Sequence, residues 1–147
     1  MPRTVHAPHG SITFSNRSWG MLMKLAYDSG WRPLGCVEPL DWQAIDQHGN
    51  PRRFFSMDYF SRRGQRVLGA DAAAMADALE SGLLDVPPFD ALGMKVAVSI
   101  DMPNVARPLR ALRPGVKVNP YEYFSGDNRD MVRRFIDFCR AGGFEIR

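Results

Sequence analysis

Two side chains able to bind a metal ion lie close together near the N-terminus, where His6 and His9 form an H-x-x-H pair. This spacing brings two imidazoles to one metal ion only on a helix or a fixed turn. Pro8 lies between the histidines and disfavours a helix, because proline lacks a backbone N–H and clashes with the preceding turn. We interpret the pair as part of a flexible tail and predict no metal site.

A carboxylate and an imidazole that could act as an acid/base pair occur in DWQAIDQHGN, which contains Asp41, Asp46 and His48. The residues that follow, 49–51, are typical of an exposed turn. The sequence contains no motif of a nucleophilic hydrolase, a P-loop, a dinucleotide site, a zinc protease or a paired C-x-x-C site. We predict no catalytic residue and no cofactor, and keep a small enzyme using the Asp46–His48 region as a third hypothesis.

The thiol of Cys139 lies just before the pair Gly142-Gly143 in FIDFCRAGGFEIR. A phosphate-binding glycine loop precedes a helix, so that amide groups and the positive end of the helix dipole point at the anion. Here the glycines follow a predicted helix, and one of them is expected to supply a left-handed C-cap. Because Cys139 falls on the apolar stripe of that helix, we predict an inert buried thiol.

Positive charge is concentrated in two blocks that flank an acidic one, although the formal net charge is only +3. Residues 52–66 carry five arginines against one aspartate (+4), and residues 107–117 carry three arginines and one lysine (+4). Residues 67–106 carry six acidic residues against one lysine (−5). Either the blocks neutralise one another on the folded surface, or the basic residues share a face that binds an anionic partner. The candidate partner-binding residues are Arg62, Arg63, Arg66, Arg107, Arg110 and Arg113.

Aromatic and arginine residues are interleaved in RRFFSMDYFSRR, residues 52–63. This pattern suits single-stranded nucleic acid, where bases stack on rings and arginines follow the backbone. If the stretch is a strand, however, alternate residues point inward, and Phe54, Tyr59 or Phe60 would belong to the core. We favour the core interpretation and keep nucleic-acid binding through residues 52–66 and 107–113 as an alternative.

The elements that must position these residues begin with three segments that have helical periodicity. The predicted helices cover residues 16–29, 71–84 and 127–141. Ser15 or Asn16 can cap the first helix, and Asp71 lies at the positive N-terminal end of the second.

Strands are predicted from short apolar or alternating runs. They cover residues 31–37, 53–61, 95–100, 116–118 and 144–147. Segment 86–120 contains six prolines and is predicted to be a loop-rich excursion with a strand inside. The sequence therefore predicts one compact α+β domain, residues 1–147, with about three helices packed on a small, mostly antiparallel sheet.

Length and composition fit a soluble domain of 147 residues with 45% hydrophobic and 24% charged residues. No segment resembles a signal peptide or approaches the roughly 18–20 apolar residues that span a bilayer. Two cysteines do not make a disulfide framework. We expect a cytoplasmic protein without membrane association.

Three stretches, WGMLMKLAYDSGWRPLG, YFSRRGQRVLGADAAAMADALE and FIDFCRAGGFEIR, together resemble a group of small, uncharacterised bacterial proteins. The common features are a Trp-led helix ending in Gly-Trp, a Gly-Gln turn before an Ala-rich helix, and a closing Phe-Cys-x-x-Gly-Gly-Phe. The resemblance leaves out segment 86–120. It implies a bacterial cytoplasmic protein and assigns no catalytic residue.

For function, the sequence favours a non-catalytic protein that binds a protein partner, such as a toxin-neutralising immunity protein or an accessory factor. A small single domain with charge in blocks suits docking to a complementary surface. Nucleic-acid binding is the first alternative and an unrecognised small enzyme the second. A homo-oligomer is also compatible with the sequence.

Overall fold

The computed structural model describes residues 2–91 and 118–147. Its strands are β1 (Arg3–Ala7), β2 (Gly10–Phe14), β3 (Gln65–Val67) and β4 (Phe144–Ile146). Its helices are α1 (Asn16–Asp28), α2 (Gly69–Leu83), a short α3 (Pro120–Tyr123) and α4 (Arg129–Arg140). The strands form one antiparallel sheet in the order β2-β1-β4-β3. The predicted α+β class is confirmed.

The H-x-x-H segment belongs to a β-hairpin, so the prediction of a flexible tail was wrong. β1 pairs with β2 with Val5 opposite Ile12, and Pro8 and His9 occupy the turn. The alternation around Val5 covers too few residues to be a clear strand signal alone. Pairing of β1 with β2 on one side and β4 on the other supplies the backbone hydrogen bonds that order it.

Side-chain alternation along the strands gives the sheet one buried and one open face. The buried face packs into the core through Val5, Ala7, Phe14, Val67, Phe144 and Ile146. The open face carries the polar side chains of Thr4, His6, Ser11, Thr13, Arg66 and Glu145. Polar strand residues therefore meet solvent on the face away from the core.

The helices pack as their apolar stripes predict, with α2 against α4 and α1 against α2. The residues that recur along α1 at the i, i+3, i+4, i+7 spacing of an amphipathic helix are all buried: Trp19, Leu22, Met23 and Ala26. The Trp19 ring meets the edge of the Phe135 ring with the centroids 5.7 Å apart. The Ser15 side chain caps α1 by accepting a hydrogen bond from the Ser18 amide at 3.1 Å.

The segment between α1 and β3 is irregular, and the predicted strands over residues 31–37 and 53–61 were wrong. It contains only the isolated bridges Val37–Arg66 and Ile45–Pro51. Its backbone N–H groups donate to acceptors other than a neighbouring strand. The Cys36 amide, for example, donates to the Ser56 carbonyl at 2.6 Å. Such contacts replace a strand ladder. The predicted strand over residues 95–100 lies outside the described residues, as does most of the predicted strand over 116–118 and of the predicted excursion over 86–120.

Candidate functional site

Two of the predicted arginines line an open cleft of about 480 Å³ at the end of β3 and β4. Arg62 and Arg63 are exposed there, and Arg147 adds a third guanidinium. We call this the arginine cleft. Its lining is completed by Pro39, Leu40, Asp41, Gly64 and Glu145.

A buried glutamine positions the loop that carries Arg62 and Arg63. Gln65 is only 1% exposed, and its side-chain amide donates to the Asp58 carbonyl at 3.1 Å and to the Ser61 carbonyl at 2.6 Å. Its carbonyl oxygen accepts the Arg63 amide at 2.9 Å. All three contacts fix the loop backbone, so the two guanidinium groups extend from a rigid base.

Asp58 also stabilises the conformation of this loop through hydrogen bonds. Its carboxylate accepts hydrogen bonds from the Phe60 amide at 3.0 Å and from the Ser61 amide at 2.9 Å, and from the Ser61 hydroxyl. Partial burial opposes ionisation of Asp58, but these hydrogen bonds and the charge of Arg63 outweigh it and lower the pKa of the carboxyl below its usual value. The loop therefore combines a half-buried, hydrogen-bonded carboxylate with two exposed arginines.

Few of the arginines in and beside the cleft are paired with a carboxylate. Arg62 contacts the Pro2 carbonyl at 3.4 Å, and Arg66 donates to the Glu38 carbonyl at 2.9 Å. Arg147 pairs with Glu145 at 2.8 Å. Within residues 2–91 and 118–147, Arg62, Arg63 and Arg66 form no salt bridge. Positive charge is therefore left available at the cleft.

Two acidic residues of the block pair with an arginine that lies outside both basic blocks. Asp77 and Glu80 pair with Arg140, the former at 3.1 Å. Asp71 is fully buried. Neither of these ion pairs involves Arg62, Arg63 or Arg66.

Arg66 lines a second open cavity, of about 410 Å³, next to the arginine cleft. Both cavities include Leu40, which is 80% exposed, and Glu145. His6 also lines the second cavity and lies opposite Glu145 in the sheet. Arg62, Arg63 and Arg66 thus lie along one surface on the open side of the sheet. Arg107, Arg110 and Arg113 lie outside the described residues.

Arg147 and Glu145 were missed as site residues because the C-terminal segment is balanced in charge. The available signal was the alternation in Phe144-Glu145-Ile146-Arg147. It predicted a strand and hence one polar face. Placing that face beside Arg62 requires the pairing of β4 with β3, which local pattern does not give.

The Asp46–His48 pair does not form an acid/base site. The Asp46 carboxylate accepts the backbone amides of His48 at 2.8 Å and Asn50 at 2.9 Å, which is an aspartate-capped turn. The His48 side chain is exposed, with its Nε2 atom 3.4 Å from the Gln47 side-chain nitrogen. The candidate for the enzyme hypothesis is therefore used locally, to close a turn.

The aromatic residues of segment 52–63 divide between the core and the surface. Tyr59 is buried and Phe54 packs partly buried against Trp42, as the core interpretation predicts. Phe60 is 48% exposed and Phe55 is 68% exposed, so the inward prediction fails for Phe60. The segment is not a strand, and no regular alternation governs it.

Both cysteines are free and buried. Burial, with the charges of Asp71 and Asp58, raises the pKa of Cys36 to about 12. Burial above all, with the charge of Asp71, also raises the pKa of Cys139. Because the thiolate is the reactive form, both thiols are poor nucleophiles near neutral pH.

We expect neither cysteine of the folded protein to react readily with Ellman's reagent at about pH 8. Unfolding in guanidinium should make both thiols reactive toward the reagent, since burial is the main cause of their raised pKa. The measurement is the absorbance of the released thionitrobenzoate. Rapid reaction in the native state, lost in Cys139→Ala, would overturn the interpretation of Cys139 as an inert core thiol.

Residues 2–91 and 118–147 offer neither a metal cluster nor a membrane span. They contain no cluster of three His, Cys, Asp or Glu residues that could hold a metal ion. They also contain no helix that is both long and apolar enough to cross a membrane.

Comparison of the chain with protein-family models, with curated proteins and with solved structures gives no significant match. A functional assignment therefore has to come from the geometry of the surface itself.

Proposed function

We propose that this chain is a non-catalytic bacterial binding protein that docks, in the cytoplasm, onto an acidic segment of a protein partner through the arginine cleft. It would act as an immunity-like protein or an accessory factor. The observation that carries the proposal is the convergence of Arg62, Arg63 and Arg147 around one cleft with a single carboxylate pairing, that of Glu145. Guanidinium groups bind carboxylates, like phosphates, through paired hydrogen bonds, so such a cleft suits a partner with acidic groups.

A rigid base for the arginines strengthens the proposal. The loop backbone is held by Gln65 and Asp58 before any partner arrives. Preorganised groups lose less conformational entropy when they bind, so more of the interaction free energy appears as affinity.

The lining of the cleft favours a protein over a nucleic acid. Asp41 and Glu145 lie among the arginines. A phosphate backbone would bring regularly spaced negative charges against both carboxylates, whereas a protein segment can place acidic and basic side chains to match the mixed lining. The formal net charge of only +3 points the same way.

The proposal predicts that Arg62→Glu/Arg63→Glu abolishes capture of the partner. The tagged protein would be incubated at low salt with nuclease-treated lysate of its source organism, because salt screens exposed charges. We expect the wild type to retain one protein at near-equal amounts. The purified partner should bind the double variant at least about tenfold more weakly, since two attractive charges become repulsive.

Arg133→Glu/Arg134→Glu provides a matched control, because it makes the same charge change on the exposed side of α4. This control should retain the partner. Equal capture by the wild type and the Arg62→Glu/Arg63→Glu variant would refute the arginine cleft as the site. Capture that disappears when the lysate is nuclease-treated would instead favour nucleic-acid binding.

A further inference from the structure

An apolar groove of about 410 Å³ lies beside the loop that carries the arginine cleft. One wall is a single face of α1, formed by Gly20, Met23, Lys24, Tyr27 and Asp28. The other wall is formed by Trp31, Pro33, Met57, Tyr59 and Phe60. We call this cavity the α1 groove.

The α1 groove has a buried apolar floor and an exposed apolar rim. Trp31 and Tyr59 in the floor are 4% and 3% exposed, whereas Tyr27, Met57 and Phe60 at the rim are 49%, 63% and 48% exposed. Exposed apolar side chains are common singly, but a group of them around a concave site marks an interaction surface. Methionine in particular adapts its shape to different apolar ligands.

Gly20 keeps one wall of the α1 groove open, and the fold does not require glycine there. It lies inside α1, and its φ is not positive. A Cβ atom built at this position meets nothing within 4 Å. Glycine inside a helix is less stable than alanine. Glycine at this position therefore makes the helix less stable and the groove wider.

The charges around the α1 groove are mostly positive. Arg32 stacks on the Tyr27 ring at 4.2 Å and donates to the carbonyls of Tyr27 and Trp31, both at 2.9 Å. Arg3 donates to the Phe60 carbonyl and lies 5.9 Å from the Phe60 ring. Both are held by backbone carbonyls rather than by carboxylates, whereas Lys24 is paired with Asp28 at 3.2 Å. The groove therefore favours an occupant with negative charge beside its apolar group.

The α1 groove and the arginine cleft are lined by neighbouring residues of the same loop. Phe60 lines the groove and Arg62 lines the cleft, two residues further along the chain. Their Cα atoms are therefore at most about 7 Å apart.

We propose that the α1 groove binds an apolar side chain of the same acidic partner segment that occupies the arginine cleft, which rests on the proposed function. The carboxylates pair with Arg62 and Arg63, and an aromatic or aliphatic side chain enters beside Gly20. Such an apolar anchor in a pocket, surrounded by polar contacts, is the usual arrangement of an interface hot spot.

The test uses fluorescein-labelled peptides of about 12 residues, long enough when extended to span both sites. Each contains an acidic cluster and one phenylalanine, placed at several distances before or after the cluster. The matched plain peptide has serine in place of phenylalanine. Fluorescence anisotropy with the full-length protein should show at least one anchored peptide binding about tenfold or more tightly than the plain peptide, because it buries a phenylalanine side chain.

Gly20→Leu tests the position of the anchor, because it fills the groove from a helical site with room for a side chain. It should reduce the affinity of the phenylalanine-containing (anchored) peptide to that of the plain peptide. The affinity of the plain peptide itself should not change. The control Ala73→Leu, on the exposed face of α2, should change neither. Gly20→Ala should raise the melting temperature by roughly 2–4 °C, which would show that the helix tolerates a side chain there.

Two results would overturn the inference: equal binding of all anchored and plain peptides by the wild type, or undiminished binding of the anchored peptide by Gly20→Leu. The proposed function fails separately, if Arg62→Glu/Arg63→Glu binds the plain acidic peptide as tightly as the wild type.

Discussion

Replacement of Asp71 by alanine is expected to lower the free energy of unfolding by about 3–5 kcal/mol. The Asp71 side chain is fully buried near the start of α2. Its carboxylate accepts hydrogen bonds from the Trp31 indole at 2.9 Å, the Tyr59 hydroxyl at 2.6 Å and the Leu34 amide at 3.3 Å. Truncation leaves the buried donors of Trp31 and Tyr59 without their acceptor, and each orphaned donor costs roughly 1–3 kcal/mol.

The same substitution should loosen the α1 groove, because Trp31 and Tyr59 form its floor. Their rings meet edge to face with centroids 5.1 Å apart, and both are tied to the one carboxylate of Asp71. The Tyr59 hydroxyl also accepts the Gly35 amide at 2.8 Å. Asp71 therefore fastens the irregular segment before β3 to the helical layer.

Urea denaturation followed by circular dichroism measures the effect of Asp71→Ala. Asp77→Ala is the matched control, because Asp77 lies on the same helix with its carboxylate exposed. Tyr59→Phe should show a smaller fall, about 1–3 kcal/mol, since it removes one of the three donors. It keeps the test available if Asp71→Ala does not fold. Equal urea midpoints for Asp71→Ala and Asp77→Ala would show that the buried cluster contributes little.

The role of Asp71 illustrates what local pattern can and cannot predict. In sequence, an aspartate in the first turn of a helix indicates only a favourable interaction with the helix dipole. Its actual partners, Trp31 and Tyr59, lie 40 and 12 residues away. The faces of the helices were predictable, because the period of Trp19, Leu22, Met23 and Ala26 is local information. Partners that meet only after folding were not.

The two strand predictions failed for the same reason: the hydrogen-bond partners of these residues meet them only after folding. Residues 31–37 and 53–61 contain the aromatic and apolar residues that favour strands. In the fold, the donors of Leu34 and Gly35 go to the side chains of Asp71 and Tyr59 instead of to a neighbouring strand. Two side chains, the Asp71 carboxylate and the Tyr59 hydroxyl, thus accept backbone donors of residues 31–37 that a strand would give to a neighbouring strand.

The candidate site was predicted in part. Arg62 and Arg63 could be selected because clustered arginines next to a glycine turn are exposed in most folds. Arg147 could not, because its place beside them depends on the register between β3 and β4. The α1 groove was also hidden, since Met57 and Phe60 lay in a predicted strand and Gly20 lay in a predicted helix.

Replacement of Gly143 by alanine is expected to destabilise the fold by about 3 kcal/mol. Of the glycine pair after α4, Gly142 has a φ of 139° and supplies the positive-φ residue predicted at the helix end. Gly143 is required for a different reason. A Cβ atom there would overlap the Val67 carbonyl oxygen and lie 3.0 Å from the Gly69 amide nitrogen. Both are backbone atoms at the junction of β3 and α2, so no side chain can move aside.

Thermal melting followed by circular dichroism should place the Gly143→Ala transition about 10 °C below that of the wild type. Gly20→Ala is the control, because it is the same chemical change at a position where a Cβ atom meets nothing within 4 Å. It should raise the melting temperature instead, since alanine is the better helix former. Two variants with equal melting temperatures would contradict the close approach of β4 to the β3–α2 junction. If Gly143→Ala lowers the melting temperature and Gly20→Ala raises it, the two glycines have different roles. Gly143 allows backbone contact, and Gly20 leaves a groove open.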